Sequence, residues 1–343
     1  MPSVLPIRRF YASLRKAREW QELPESRLRL VHQPTLTALR EMAAARSELE
    51  RADGPEAIIA PALRALRSLE GRLQRPLRIA VVGEFNSGKS TLSNLLVGIE
   101  SLPTAVISNT CIPTRLYHAK APEIFAVDHG RRRRRLRVST PAVPPQEVFR
   151  LEVGLPAARL RAVEILDMPG LADSRLDGPI DLSLHAVDIA LWCTLCTQAW
   201  KESERSAWQE VRPQLRRRGV LVATHRDLLD PDSVEKLMER LHDEAGRSFR
   251  DILPMSTLEA LAVARAGHAG DAGALWKASG ADALEVALDE VIESVRTERL
   301  DAALAVTARI AGHALSRIAG AAHATPADAR GAAAPPGTVP TLS

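Results

Sequence analysis

Residues 83–90 read GEFNSGKS: a glycine, four further residues, then Gly-Lys-Ser. With this spacing a chain wraps a phosphate group. Consecutive backbone N–H groups of such a loop turn toward a β-phosphate, and the following helix adds the positive end of its dipole. Gly83 and Gly88 stand where a side chain would obstruct the turn or the anion. Lys89 is expected to reach the β- and γ-phosphates and the Ser90 hydroxyl to ligate Mg²⁺. Asn86, Ser87 and Thr91 complete the expected loop contacts. A chance Gly/Lys/Ser loop would carry the same letters. The flanks argue against chance: an apolar run of Leu77, Ile79, Val81 and Val82 follows Pro76, and a helix-like TLSNLL follows the loop.

Three further segments bear on the ligand. AVEILDMPG (162–170) is a second apolar strand ending in D-x-x-G. Asp167 is expected to hold Mg²⁺ through a water, and the Gly170 amide to meet the γ-phosphate. GVLVAT (219–224) runs into THRD (224–227), which is similar to the guanine motif [NT]-K-x-D. Asp227 would accept hydrogen bonds from guanine N1 and N2, donors that adenine lacks, and a site built for them rejects the analogue without them. Thr224 opens this motif, and His225 stands where a lysine stem covers the base, so an imidazole must stack there instead. The alternative for Asp227 is an ordinary strand-end aspartate capping the next helix. ILPMST (252–257) ends another strand with Ser256, where a backbone amide contacts guanine O6. The four signals come in order, each at the C-terminal end of a strand, where open α/β sheets bind ligands. They imply GTP/GDP with Mg²⁺.

The elements that must position these residues form an α/β fold: a P-loop GTPase domain over 76–265, with a mainly parallel sheet flanked by helices. A helical bundle from the N- and C-terminal flanks is expected beside it. In the N-terminal helical segment, 1–75, the apolar positions Ile59, Leu63, Leu66, Leu69 and Leu73 recur at helical spacing. Leu284, Leu288, Val291 and Val295 repeat it, so helices over 282–320 are expected to pack with the N-terminal segment. Passive packing accounts for both stripes equally well. Residues 266–281 read as a Gly/Ala-rich loop and 321–343 as a disordered tail. EIFAVDHGRRRRRLRVSTP (123–141) reads as two short strands around Asp128–His129–Gly130, a hairpin.

GEFNSGKSTLSNLLVG (83–98), LPTAVISNTCIPTRLYH (102–118) and DMPGL (167–171) together resemble the phosphate loop and two switches of dynamin-like GTPases, and more closely those of bacterial dynamin-family proteins. The resemblance covers about residues 76–265. It implies that Thr114 is the Mg²⁺-binding threonine of the first switch. It also implies GTP hydrolysis, pairing of two copies through the GTPase domain and peripheral contact with anionic lipid. Phe85 departs from the pattern: dynamins proper carry a catalytic glutamine there, and the next residue, usually serine, is Asn86. A phenylalanine cannot orient water. The candidates for catalysis are therefore Lys89, Thr114 and Asn86, with main-chain carbonyls or a partner in trans.

Composition narrows the alternatives. The chain has 343 residues, 45% apolar, which suffices for one large core and an attached helical part. Aromatics at 3% disfavour a stacking platform for single-stranded nucleic acid. The net charge is +4, and part of the excess is local, in Arg131–Arg135 with Arg137 and in Arg216–Arg218. The first run could meet lipid phosphates or RNA, or be a solvated hairpin tip. Three cysteines make no disulfide framework, which suits a reducing compartment. CTLC (193–196) lies in or just beyond a strand, where residues three apart face opposite ways and cannot share a metal. Trp200 and Trp208, eight apart, read as core packing. The most apolar stretch, 302–321, is interrupted by Arg309, His313 and Arg317, so it spans no membrane. Glu19 and Glu22 among the N-terminal arginines suit a helix of the mature protein better than a leader. The expected location is cytoplasmic, with peripheral contact at the inner membrane. Two rivals remain: an Era/TrmE-like GTPase acting on RNA or ribosomes, and a GTP-binding scaffold with negligible hydrolysis.

Overall fold

A computed structural model describes residues 33–98, 112–137, 145–171, 186–266 and 272–323. The stretch Leu77–Gly83 forms strand β1, and its alternation decides the layers. Ile79 and Val81 point to one side of the sheet, Ala80 and Val82 to the other, and all four are buried. A strand apolar on both faces must be central and covered twice.

It is. Among the described residues nine strands form one sheet in the order β4-β3-β5-β2-β6-β1-β7-β8-β9. The others are β2 (Thr114–His118), β3 (Glu123–Val127), β4 (Arg133–Leu136), β5 (Arg150–Leu155), β6 (Val163–Asp167), β7 (Ile189–Leu195), β8 (Gly219–Thr224) and β9 (Asp251–Pro254). β6, β1, β7, β8 and β9 run parallel. β2 is parallel to β5 but antiparallel to β6, and β3 is antiparallel to both its neighbours. The expected hairpin is β3–β4, spanning 123–136 and turned at Asp128, whose carboxylate accepts the Arg132 amide at 2.8 Å. β4 ends the sheet on that side. β5, which the sequence reading did not single out, lies between β3 and β2.

Chain order introduces helices α1 (Gln33–Arg51), α2 (Glu56–Gln74), α3 (Lys89–Val97), α4 (Glu202–Gln209), α5 (Pro213–Arg216), α6 (Pro231–Ala245), α7 (Thr257–Ala266), α8 (Ala272–Ala278) and α9 (Ala281–His323). Leu92 and Leu95 of α3, Leu261 of α7 and the first part of α9 bury against the Ile79 face. Trp208 of α4, Leu215 of α5 and Leu237 and Leu241 of α6 bury against the Ala80 face. Trp200 and Trp208 are both core residues: Trp208 stacks on Phe249 with centroids 4.4 Å apart and meets Trp192 edge-on. Cys193 is buried in β7 and Cys196 in the turn after it, both as free thiols.

The described residues divide into two compact units, 76–296 and 33–75 with 297–323. The first runs past residue 265, because Leu284, Leu288, Val291 and Val295 pack into the sheet's own core. Among the described residues the partner of that stripe is therefore the sheet itself. In the second unit Leu66 and Leu49 meet Ala311 and Ala314 instead, and Met42 and Leu69 meet Ala303. Alanines let the helices approach closely, a partner signal that a search for large apolar residues passes over. Residues 272–278 of the expected loop are helical in α8. The tail from 324 on lies outside the described residues.

Trp208 fills the space over Gly219, where any Cβ would collide with its ring. Trp208→Ala should therefore cost about 3–5 kcal/mol, the usual range for emptying a buried aromatic site. Urea denaturation measures this directly, and an unchanged midpoint would mean the aromatic cluster is not part of the cooperative core.

Candidate functional site

Between β1 and α3 the chain has to reverse within a few residues, and the backbone shows how. Gly83 adopts φ +148°, Asn86 +61° and Gly88 +81°. A side chain on Gly83 would run into the Cys193 carbonyl of β7 and the Ser87 hydroxyl. Left-handed residues alternating with ordinary ones curl successive amides toward one side, the geometry of an anion nest. Helix α3 starts at Lys89 with no side-chain cap, so its first amides have no side-chain acceptor. The Ser87 hydroxyl is fully buried without a hydrogen-bond partner. Lys89 is 8% exposed, and its ammonium rests on the Glu84 carbonyl. Burial pushes the Lys89 pKa down, with Cys193, Asp167 and Glu84 acting the other way. An orphaned hydroxyl, a buried cation and an uncapped helix start in one loop are a cradle that fits a phosphate group. Thr91 follows, partly buried, in the first turn of α3.

Asp167 ends β6 beside this loop. Its carboxylate accepts the Ser93 hydroxyl at 2.9 Å and faces the Ser90 hydroxyl at 3.4 Å. Burial raises its pKa to about 6, against the Ser93 and Ser90 hydrogen bonds and the Lys89 charge. Lys89 only partly offsets this burial, and a divalent cation between Ser90 and Asp167 would supply further countercharge. Thr114 is the cross-strand partner of Asp167, so the two side chains stand on the same face of the sheet. The Thr114 hydroxyl is buried and donates to the Ile112 carbonyl at 3.4 Å. Gly170 packs against the Phe85 backbone, where an added Cβ would lie 3.1 Å from the Phe85 nitrogen. The Met168 and Leu171 amides donate to the Val81 and Gly83 carbonyls. The D-x-x-G segment thus fastens to the loop.

From β8, Thr224 reaches the loop as well. Its hydroxyl lies 2.9 Å from the Ser87 carbonyl and 3.1 Å from that of Thr194, with one proton for the two. His225 takes φ +59°, and its ring sits beside Gly88 with Nδ1 3.1 Å from the Thr224 hydroxyl. Asp227 follows in a short 3₁₀ turn, with its side chain exposed. Asp230, not Asp227, caps the next helix, α6, by accepting the Ser233 amide.

Ser256 requires a correction. Its amide is already donated to the Ser279 carbonyl at 2.9 Å and its hydroxyl accepts the Glu259 amide, so it has no free N–H for a base. Asn86 and Phe85 both lie exposed on the loop, Phe85 at 66%. The first-switch segment before residue 112 lies outside the described residues. Ser93 was missed, although its place one turn after Ser90 puts both hydroxyls on one helix face.

The fold is that of a P-loop GTPase domain with helical flanks, and the loop at 83–90 has the geometry of a phosphate cradle. Residues 79–140 match the dynamin family model. The chain is 28% identical over 204 residues to Dynamin-like protein 2 of Campylobacter jejuni, covering 57% of this chain and 33% of that protein. It is 35% identical over 120 residues to the isoniazid-induced protein IniC of Mycobacterium tuberculosis, covering 33% and 24%. A solved structure from an oligomerised bacterial dynamin pair superposes with TM-score 0.60 at 17% identity, over 84% of this chain and 47% of that one. The chain therefore resembles the dynamin-like GTPases, as its motifs indicate, while spanning a third or less of the length of these curated relatives.

Because the Asp167 carboxyl binds its proton more tightly in the folded chain than its ordinary value of 3.8 allows, its ionisation opposes folding. That penalty is absent below 3.8, grows through the interval up to 6 and is complete above it. Asp167→Asn should remove a penalty of at most about 3 kcal/mol at pH 7, in ligand-free protein without Mg²⁺. The stability difference between variant and wild type, followed by thermal melting from pH 4 to about pH 7.5, should widen as pH rises.

Proposed function

We propose that this chain binds GTP with Mg²⁺ and hydrolyses it, acting as a nucleotide switch. The observation that carries the reading is the convergence of the orphaned Ser87 hydroxyl, the buried Lys89 ammonium and the Ser90–Asp167 pair at the uncapped start of one helix. Lys89 and the loop amides of Gly83–Thr91 hold the phosphates. Ser90 and Thr114 ligate the metal and Asp167 supports it, while Gly170 senses the γ-phosphate. When bound, Mg²⁺ neutralises charge on the β- and γ-oxygens. Asp227 selects guanine, and Thr224 and His225 shape the wall between base and loop.

The hydrolytic water needs a group other than Phe85. Asn86, the next residue, is exposed and left-handed and carries a neutral polar side chain. The exposed Phe85 itself supports a second reading, a GTP-loaded scaffold that scarcely turns over. Pairing of two copies through the GTPase domain and peripheral contact with anionic lipid belong to the proposal too. The solved relative is described as an oligomerised pair that senses and tethers membranes. No helix among the described residues is long and apolar enough to cross a membrane. RNA is the less favoured partner: Arg133 lies 3.8 Å over the Phe125 ring and Arg131 3.8 Å over that of Phe149, so ring faces that would stack bases are taken.

Single-turnover hydrolysis of GTP, with and without anionic liposomes, tests the activity. Lys89→Ala should abolish nucleotide binding. Asp227→Ala should lower GTP affinity by about 10²-fold or more while leaving ATP competition unchanged, as loss of a base-specific acceptor requires. Equal binding of ATP and GTP by the wild type would refute the guanine assignment.

A further inference from the structure

Glu84 puts a carboxylate inside the phosphate loop, one residue after Gly83, where a bound polyanion would repel it. The structure shows where that charge goes. Lys201 donates to one carboxylate oxygen at 3.0 Å and the Ser203 hydroxyl to the other at 2.7 Å. The Ser203 hydrogen bond is the largest influence holding Glu84 below the usual carboxylate range, with Lys201 and Lys89 adding to it against burial. The carbonyl of the same residue receives the Lys89 ammonium and, at 3.3 Å, the Ser87 amide. Glu84 thus anchors both the Lys89 ammonium and the Ser87 amide through its main chain.

Lys201 and Ser203 are themselves held. The Lys201 amide donates to the buried Glu204 at 3.0 Å, as do the Thr194 hydroxyl at 2.8 Å and the Trp192 indole at 3.2 Å. The Thr194 hydroxyl in turn accepts the Trp200 amide at 3.0 Å, which fixes Trp200 at φ +60°. The Thr194 carbonyl shares the Thr224 hydroxyl with Ser87. The contacts close a ring that leaves the loop at Glu84, passes through the start of α4 and the end of β7, and re-enters at Ser87.

We propose that Lys201 and Ser203 are positioning residues for the phosphate loop: they draw the Glu84 carboxylate to the start of α4 and offset its charge, keeping the cradle receptive to a nucleoside diphosphate. This rests on the nucleotide reading above. A purely structural brace and a charge-offsetting clamp make opposite predictions for one double variant. With Lys201 removed, Glu84 is left as an uncompensated anion beside the phosphates, so removing its charge as well must help.

The test is GDP titration by calorimetry on the full chain, at fixed Mg²⁺ and low salt. Lys201→Ala should weaken binding about tenfold, the scale of an unpaired like charge near a ligand. Ser203→Ala, at an exposed position, should weaken it about two- to threefold, a lost hydrogen bond's share. Adding Glu84→Gln to Lys201→Ala should bring affinity back to within about threefold of wild type, and the single-variant deficit should shrink at high salt as exposed charges are screened. Thermal melting of the ligand-free variants separates misfolding from weakened binding. Wild-type affinity in Lys201→Ala, or a double variant as weak as the single one, overturns the clamp. Absence of GDP binding by the wild type would instead overturn the nucleotide reading on which it stands.

Discussion

The structure depends on how closely the phosphate-loop backbone passes strand β7. Gly83 pairs with Cys193 in the parallel register of β1 and β7, and only a residue without a side chain fits between that carbonyl and the turn. Once the chain is committed there, the neighbouring strands fasten it. The segment after β6 supplies the amides of Met168 and Leu171, and β8 supplies the Thr224 hydroxyl. The left-handed backbone of Asn86 and the unpartnered Ser87 hydroxyl are local costs that such a frame can hold in place. Sites where local rules fail while the surroundings agree are where function is found.

Much of this can be read in the chain itself, because the motifs sit where the apolar period breaks. Strand, glycine and helix are adjacent in sequence, so the phosphate loop, Asp167 and Thr224 were all findable from near neighbours. What escaped has distant partners. Arg150 and Glu152 look like surface residues, yet β5 is an inner strand between β2 and β3, where Arg115 and Arg133 meet Glu152. Ser256 loses its amide to Ser279, beyond helices α7 and α8. The periodicity of Leu284, Leu288, Val291 and Val295 predicts a buried helix face correctly but not what buries it. The Glu84 contacts reach 117 and 119 positions, and no local pattern announces them.

The half of the sheet that lengthens the fold is held by charge on one side and apolar packing on the other. Leu116, Ile124, Val153 and Ile165 face the core. The alternate positions carry a ladder across the strands: Arg78 to Glu164 at 2.7 Å, Arg115 to both Glu164 and Glu152, and Arg133 to Glu152 at 2.6 Å. Burial works against ionised Glu152, but Arg150, Arg115 and Arg133 keep its pKa below the usual range. Each carboxylate has two or more guanidinium partners, so removing either would strand several cations at once.

β4 terminates that ladder with Arg133, Arg134 and Arg135, all exposed, at the end of the strand order. An open strand margin is normally a template on which another strand can zip. Here two like copies approaching side by side would bring guanidinium against guanidinium before any main-chain bond could form. Guanidinium groups along a terminal strand disfavour such zipping, even with Glu152 and Glu123 offsetting the charge of Arg133 and Arg135.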